Sequence, residues 1–224
     1  MNVTIPIPTA PPGLIGITNV NNTALGVNAS ITSPSAWANS AIGVDALRNN
    51  TFGVNNSALG LNALRNNTDG SNNSAIGTNA LQNNITGVNN SALGLNALRN
   101  NTDGSNNSAI GTNAGSFIAN GITGNTISNN SIYLGDSTRA LTNNQTNEIV
   151  IGHNAIGAGS NTTTIGNVHN NLTILNSNTV RVPRSLTPTS ATSPGTTGDM
   201  CWDANFVYVC IAANTWRRSA LVAW

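Results

Sequence analysis

Asn55–Ala80 reads NNSALGLNALRNNTDGSNNSAIGTNA, and the same stretch recurs unchanged at Asn89–Ala114. The offset is two periods of 17. Gly26, Gly43, Gly60, Gly77, Gly94 and Gly111 follow one another at that constant step, and Gly53, Gly70, Gly87 and Gly104 keep it too. A short fixed period is the signature of a repeat architecture. Each unit reads approximately N-N-S-A-(I/L)-G-x-N-A-L-x-N-N-x-x-G-x. Two glycines and several asparagines in every unit make a poor helix. They make good corners, because Asn and Gly accept positive φ. One unit is therefore read as one coil of an all-β parallel solenoid, with equivalent residues stacked at the strand spacing of roughly 4.8 Å.

The columns of that stack can be followed along the chain. Leu25, Ile42, Leu59, Ile76, Leu93 and Ile110 form one apolar column, and Leu47, Leu64, Leu81 and Leu98 form another. Neighbouring side chains of a strand point to opposite faces. If Ile76 faces the inside of its coil, then Ala24, Ala41, Ala58, Ala75, Ala92 and Ala109 face outward. Outward alanines either admit close approach by another chain, which makes these six the candidate oligomer interface, or are small surface residues. The asparagines are expected to hydrogen-bond along the stack. Arg48, Arg65 and Arg99 share a column with Gln82, and Asp69 and Asp103 follow shortly after Arg65 and Arg99 as solvated partners. After Gly111 the next matching glycine is Gly135, so the step widens from 17 to 24 and an insertion interrupts the period; Gly152 restores it, and Gly166 follows at a shorter step.

Composition agrees with a rod rather than an ordinary core. Of 224 residues 42 are Asn and 22 Gly, 7% are charged, and the formal net charge is +1. All eight cations are Arg and they are scattered, which disfavours a nucleic-acid partner. No apolar run of about 18 residues exists, so no membrane insertion is expected. The start, MNVTIPIPTAPPG, lacks the basic and apolar stretches of a secretory signal, and export by that route is not expected.

Four segments follow. Residues 1–20 carry Pro6, Pro8, Pro11 and Pro12 and are extended, serving either as a docking peptide for other particle proteins or as a disordered terminus. Residues 21–182 are the rod and 183–197 a Pro/Ser/Thr-rich linker. Residues 198–224 form a small β-hairpin tip, turning near Asp203, Ala204 and Asn205. Trp202, Tyr208 and Trp216 are candidate glycan contacts, with core or chain-to-chain packing as the alternative. Cys201 and Cys210 are read as reduced thiols. His153 and His169 lack carboxylate or Cys companions for a metal site, and no metal or cofactor is expected. No catalytic constellation stands out: Lys is absent, Glu148 is the single Glu, and the reading is non-enzymatic.

The NNSAIG-type repeat resembles the head of trimeric autotransporter adhesins. The stretch Asn129–Asn167, NNSIYLGDSTRALTNNQTNEIVIGHNAIGAGSNTTTIGN, resembles the continuation of such heads in phage tail-fibre proteins, and GDMCWDANFVYVCIAANTWRRSALVAW resembles a small terminus of phage fibres. The resemblance implies a left-handed β-roll, three chains packed together, which agrees with an outward alanine column, and a place in the virion after assembly in the host cytoplasm. It implies a structural fibre or spike that attaches to host surface glycans. A purely structural decoration and a bacterial adhesin head are the alternatives. An ice-binding solenoid is a further class, weakened by Ile85 within the Thr51, Thr68 and Thr102 column.

Overall fold

Ser-Ala-(Ile/Leu)-Gly is the part of each repeat that pairs with its neighbours. In a computed structural model, residues 22–29, 35–167, 188–195 and 197–221 are described. The chain divides into two compact units, Met1–Thr173 and Ile174–Trp224. The expected docking segment 1–20, the end of the expected rod, the start of the expected linker and His169 lie outside the described residues. No helix occurs among the described residues.

In the first unit β1 (Thr23–Leu25), β2 (Ser40–Ile42), β3 (Ser57–Leu59), β4 (Ser74–Ile76), β5 (Ser91–Leu93) and β6 (Ser108–Ile110) pair in strict register, each strand with its equivalent one repeat later. The chain continues through β7 (Ser128–Asn129), β8 (Ile132–Leu134), β9 (Gln145–Thr146), β10 (Ile149–Ile151) and β11 (Thr163–Ile165). Among the described residues one nine-stranded parallel sheet runs in the order β1-β2-β3-β4-β5-β6-β8-β10-β11, and β7 and β9 make a second parallel pair. This unit is thus an all-β parallel solenoid of about eight steps, roughly 40 Å long at about 4.8 Å per step.

The insertion leaves the register intact. Ser108, Ala109 and Ile110 pair with Ile132, Tyr133 and Leu134 across the widened gap. The extra residues bulge out as a small loop, bridged at Phe117 and Gly124 and closed by Asn120, whose Oδ1 accepts from the amides of Ile122 and Thr123 at 2.9 Å each.

The interior of each coil is small. In the regular coils before the insertion it holds two alanines, one leucine and two asparagines, as in Asn56, Ala58, Ala63, Leu64 and Asn67, all buried. The alanine column, Ala41 to Ala109, therefore faces inward, opposite to the orientation expected from the sequence. The outward column is Leu25, Ile42, Leu59, Ile76, Leu93 and Ile110, each at least 40% exposed. The expected alternation holds and its phase is reversed. A coil this thin has room at the strand for a methyl group, and the larger apolar volume comes from the opposite corner. There Leu47, Leu64, Leu81 and Leu98 are held at φ of 49–51° with fully buried side chains. A leucine in the left-handed region costs about 1–2 kcal/mol. Burying its side chain returns about 1.5–3 kcal/mol, so the corner is sustained by the core it fills.

Two asparagine ladders run through this interior. In the first, the backbone amides of Asn39, Asn56, Asn73, Asn90 and Asn107 each donate to Oδ1 of the asparagine one coil earlier, at 2.8–3.0 Å. Their Nδ2 atoms donate to main-chain carbonyls, as in Asn73 to Gly87 at 2.8 Å. The second ladder links Asn50, Asn67, Asn84 and Asn101 side chain to side chain at 2.7–3.0 Å. It stops at the insertion, where Asn101 Oδ1 is buried without a partner.

Past the insertion the interior changes character. Tyr133 and Val150 take over the alanine column, and Ser131 and Glu148 take over the first asparagine column. Tyr133 is fully buried, with its hydroxyl 2.9 Å from Ser128 Oγ and donating to Glu148 Oε2 at 3.3 Å. Glu148 Oε1 accepts the Gly159 amide at 2.8 Å. Burial, helped by the Glu148 charge, pushes the Tyr133 phenol up to about 12. A phenol whose folded value lies above the usual 10 leaves stability unaffected below pH 10. Stability then falls by about 1.4 kcal/mol per pH unit as pH rises from 10 to about 12, since only the unfolded chain ionises freely there. Denaturant titrations at pH 9, 10, 11 and 12 should show that loss, and Tyr133→Phe should remove most of it.

Candidate functional site

The surface of the solenoid is set by which groups the ladders leave over. On the nine-stranded sheet the exposed aliphatic column lies beside a second exposed set, Val27, Val44, Leu61 and Leu95, just past the glycines. Together they make an apolar stripe along the solenoid, unbroken in the first column and interrupted in the second by Thr78. Monomeric proteins seldom leave stripes of this kind open to water.

The other outer columns are polar and mostly self-satisfied. Asn49, Asn66 and Asn83 are linked at 3.1 and 3.0 Å. The hydroxyls of Thr51, Thr68 and Thr102 turn back to carbonyls of the following coil at 3.0–3.3 Å. The expected pairing of Asp69 and Asp103 with Arg65 and Arg99 does not form. Asp69 and Asp103 share the single Thr68 and Thr102 hydroxyl protons with those carbonyls, at 2.8 and 3.0 Å, and Arg99 Nε donates to Gln82 at 3.0 Å. Arg48 and Arg65 instead approach Asp45 at 3.4 and 3.9 Å. His153 is exposed and 3.1 Å from Asp136, a surface pair.

The second unit holds the three aromatic candidates. β12 (Met200–Trp202), β13 (Phe206–Ala212) and β14 (Thr215–Ala220) form an antiparallel meander, so the expected hairpin gains a third strand. The first turn is closed by Asp203, whose Oδ1 accepts the amides of Asn205 and Phe206 at 2.7 and 2.8 Å. Its Oδ2 accepts the Tyr208 hydroxyl at 2.7 Å. The Tyr208 bond, then the Asn205 amide, hold this carboxyl below its usual range, and the same Tyr208 bond raises the phenol.

Register separates the aromatic candidates. Cys201 lies opposite Tyr208 and Cys210 opposite Trp216, whereas Trp202 lies opposite Val207. Tyr208 and Trp216 therefore share one face, and Trp202 belongs to the other. Trp216 has a packing role: its Nε1 donates to Ser193 O at 3.0 Å, and its ring covers Gly195, where a Cβ would come within 2.5 Å of Cζ2. Cys201 and Cys210 are buried on the Tyr208 face and form no disulfide. A cavity of about 330 Å³ opens between the 188–191 segment and the Tyr208–Trp216 face, with Arg217 and Arg218 at its edge. Sequence reasoning passes over this arginine pair, although two adjacent cations beside an aromatic, in a chain with 7% charged residues, are a visible signal.

What the chain is similar to can be set beside this geometry. It is 56% identical over 34 residues to a protein named "Depolymerase 1, capsule K30/K69-specific" of Klebsiella phage K5-2, a match covering 15% of this chain and 4% of that protein. No family model and no solved structure matches significantly. The non-enzymatic reading is overturned by this match, because the similar protein is an enzyme, named for the depolymerisation of capsule. The phage assignment gains a partial relative. The adhesin-head resemblance gains none.

Proposed function

We propose that this chain is the β-solenoid part of a phage fibre or spike that engages host capsule polysaccharide within a depolymerising assembly. The observation that carries the reading is the match to a phage capsule depolymerase in a chain that folds as a parallel solenoid. A stack of this kind suits the task physically, since its coils are held together by main-chain pairing, with asparagine ladders added before the insertion, and offer a long, regular surface to an extended polymer. The test is retention of purified K30 and K69 capsule by the full chain, read alongside the polysaccharide's length on gel filtration. Retention with shortening supports the reading. No retention of either capsule, or of any in a wider panel, overturns it.

The same reading includes a homotrimer, now through the aliphatic stripe instead of the alanines. Its natural cover is another copy of the chain, because only a copy repeats matching aliphatic groups at roughly 4.8 Å intervals over the same length. Three copies are implied by the likeness of the repeat to trimeric adhesin heads. Sedimentation should give three chains, and Ile76→Asp with Leu93→Asp should yield monomers. A wild-type monomer would overturn this part.

A further inference from the structure

The cavity of the second unit has the chemistry of a site for one kind of sugar. Its back wall is a strap built from 188–195. Trp216 N donates to Ala191 O at 2.9 Å, Asn214 N donates to Gly195 O at 2.9 Å, and Gly195 N donates to Asn214 Oδ1 at 3.0 Å. The strap is thereby tied to β14 and the turn before it, and the space it encloses, about 330 Å³, lies within the usual range of small-molecule sites. Tyr208 and Trp216 both line it.

Two cations border this space. Arg218 lies directly opposite Tyr208 in the sheet, with its guanidinium 4.3 Å from the centre of the Phe206 ring. Arg217 also lines the cavity and is exposed, but it lies opposite Val209, so its side chain leaves from the other face of the sheet. Among the described residues neither lies within 4.0 Å of a carboxylate, and the ion pairs found all belong to the solenoid. The nearby acid, Asp203, has both oxygens engaged by uncharged donors: two amides and the Tyr208 hydroxyl. Arg218 lowers that carboxyl less than any of these bonds does.

The Arg218 guanidinium matches the planar geometry of a carboxylate, which a single guanidinium grips by two parallel hydrogen bonds. Aromatic walls beside it suit the apolar face of a pyranose ring. We infer that the cavity bounded by Tyr208, Trp216, Arg217, Arg218 and the 188–191 strap binds a carboxylate-bearing sugar residue, such as a uronic acid, of an acidic polysaccharide. This rests on the reading of the chain as a capsule-engaging fibre and narrows its ligand to acidic chains. The cavity is distinct from the solenoid ladders, so both contributions can be measured separately.

The full chain is titrated calorimetrically at low salt with trigalacturonic acid and, as the neutral control, galactotriose. The expected result is binding of the acidic trimer alone. Arg217→Ala with Arg218→Ala should weaken it at least tenfold, and Arg218→Lys, which keeps the charge and loses the fork, should fall between. Trp216 near-UV dichroism reports that the variants keep the strap in place. Equal binding of both sugars, no binding of trigalacturonate, or undiminished binding by the double variant would each overturn the inference. Capsule retention measured in parallel separates the two readings. Capsule held equally by wild type and double variant removes this cavity and leaves the fibre reading standing. Trigalacturonate bound by a wild type that holds no capsule removes the fibre reading instead.

Discussion

Gly77→Ala is expected to destabilise the solenoid by about 2–6 kcal/mol, the sum of backbone strain of about 1–3 kcal/mol and overpacking of about 1–3 kcal/mol. That is enough to melt the central coils under conditions where the wild type is fully folded. Gly77 has φ of +129°, a conformation that side chains rarely adopt, and a Cβ there would lie 2.5 Å from Gly94 O and 2.7 Å from its carbonyl carbon. The obstacle is backbone of the next coil, fixed by the hydrogen bond from Gly94 N to Ile76 O at 2.8 Å. It cannot turn aside as a side chain would. Gly121→Ala is the contrast. Its φ of +69° also favours glycine, but the nearest atom is the tip of the Arg139 side chain at 2.9 Å, which can swing away. That variant should cost about 1 kcal/mol. Thermal melts of both, followed by far-UV dichroism, test the difference; equal melting points would show that coil-to-coil contact at the glycine column does not set stability.

Asn73→Ala is expected to cost about 2–4 kcal/mol, from one orphaned buried donor at about 1–3 kcal/mol and a further lost hydrogen bond at about 1 kcal/mol. The Asn73 side chain accepts the Asn90 amide at 2.9 Å and donates to Gly87 O at 2.8 Å. Its loss leaves the Asn90 amide buried without a partner, whereas Gly87 O keeps the Asn84 side chain at 2.9 Å. Asn73→Asp separates the two halves of the effect. It keeps an acceptor for Asn90 N, loses the donor to Gly87 O, and buries a charge, which raises the folded carboxyl's pKa. Its deficit should therefore shrink as pH falls towards the ordinary carboxyl range, where a protonated Asp can donate to Gly87 O. Asn66→Ala, in the outer column and linked to neighbouring side chains at 3.0 and 3.1 Å, should cost about 1 kcal/mol or less. Chemical unfolding of the three variants at pH 7 and pH 4.5 measures the ranking. A pH-independent Asp variant would mean that the inner ladder is wet.

These two columns show how much of the architecture is legible in the chain. Gly60, Gly77 and Gly94 at a constant step, with Asn56, Asn73 and Asn90 at the same step, specify a coil length and a stack, and the widened gap before Gly135 marks the insertion. They do not specify which face of Ser-Ala-Ile looks inward. Alternation leaves two phases, and hydrophobicity favours burying Ile76. The structure buries Ala75, and in these coils the larger apolar volume of the interior is supplied by Leu81 instead. That choice moves the candidate interface from the Ala24 to Ala109 column to the Leu25 to Ile110 column.

The C-terminal unit shows the same division at shorter range. Alternation and the turn at Asp203 and Asn205 are readable from the sequence, and they specify β12 and β13. The separation of Trp202 from Tyr208 and Trp216 depends on register, which a one-residue slip would reverse. The closure of the cavity depends on a strap from 188–195 reaching Trp216, a long-range contact between Ser193 O and the indole that no local pattern encodes.

The sequence by itself determined the period, the parallel stack and its asparagine and glycine ladders, because each is a local choice repeated at one constant step. Only the tertiary structure decided which ladder is core and which is surface, and which arginines border a cavity. Those depend on the volume left when a coil closes on itself and on partners far away in the chain, and neither is a property of any single repeat.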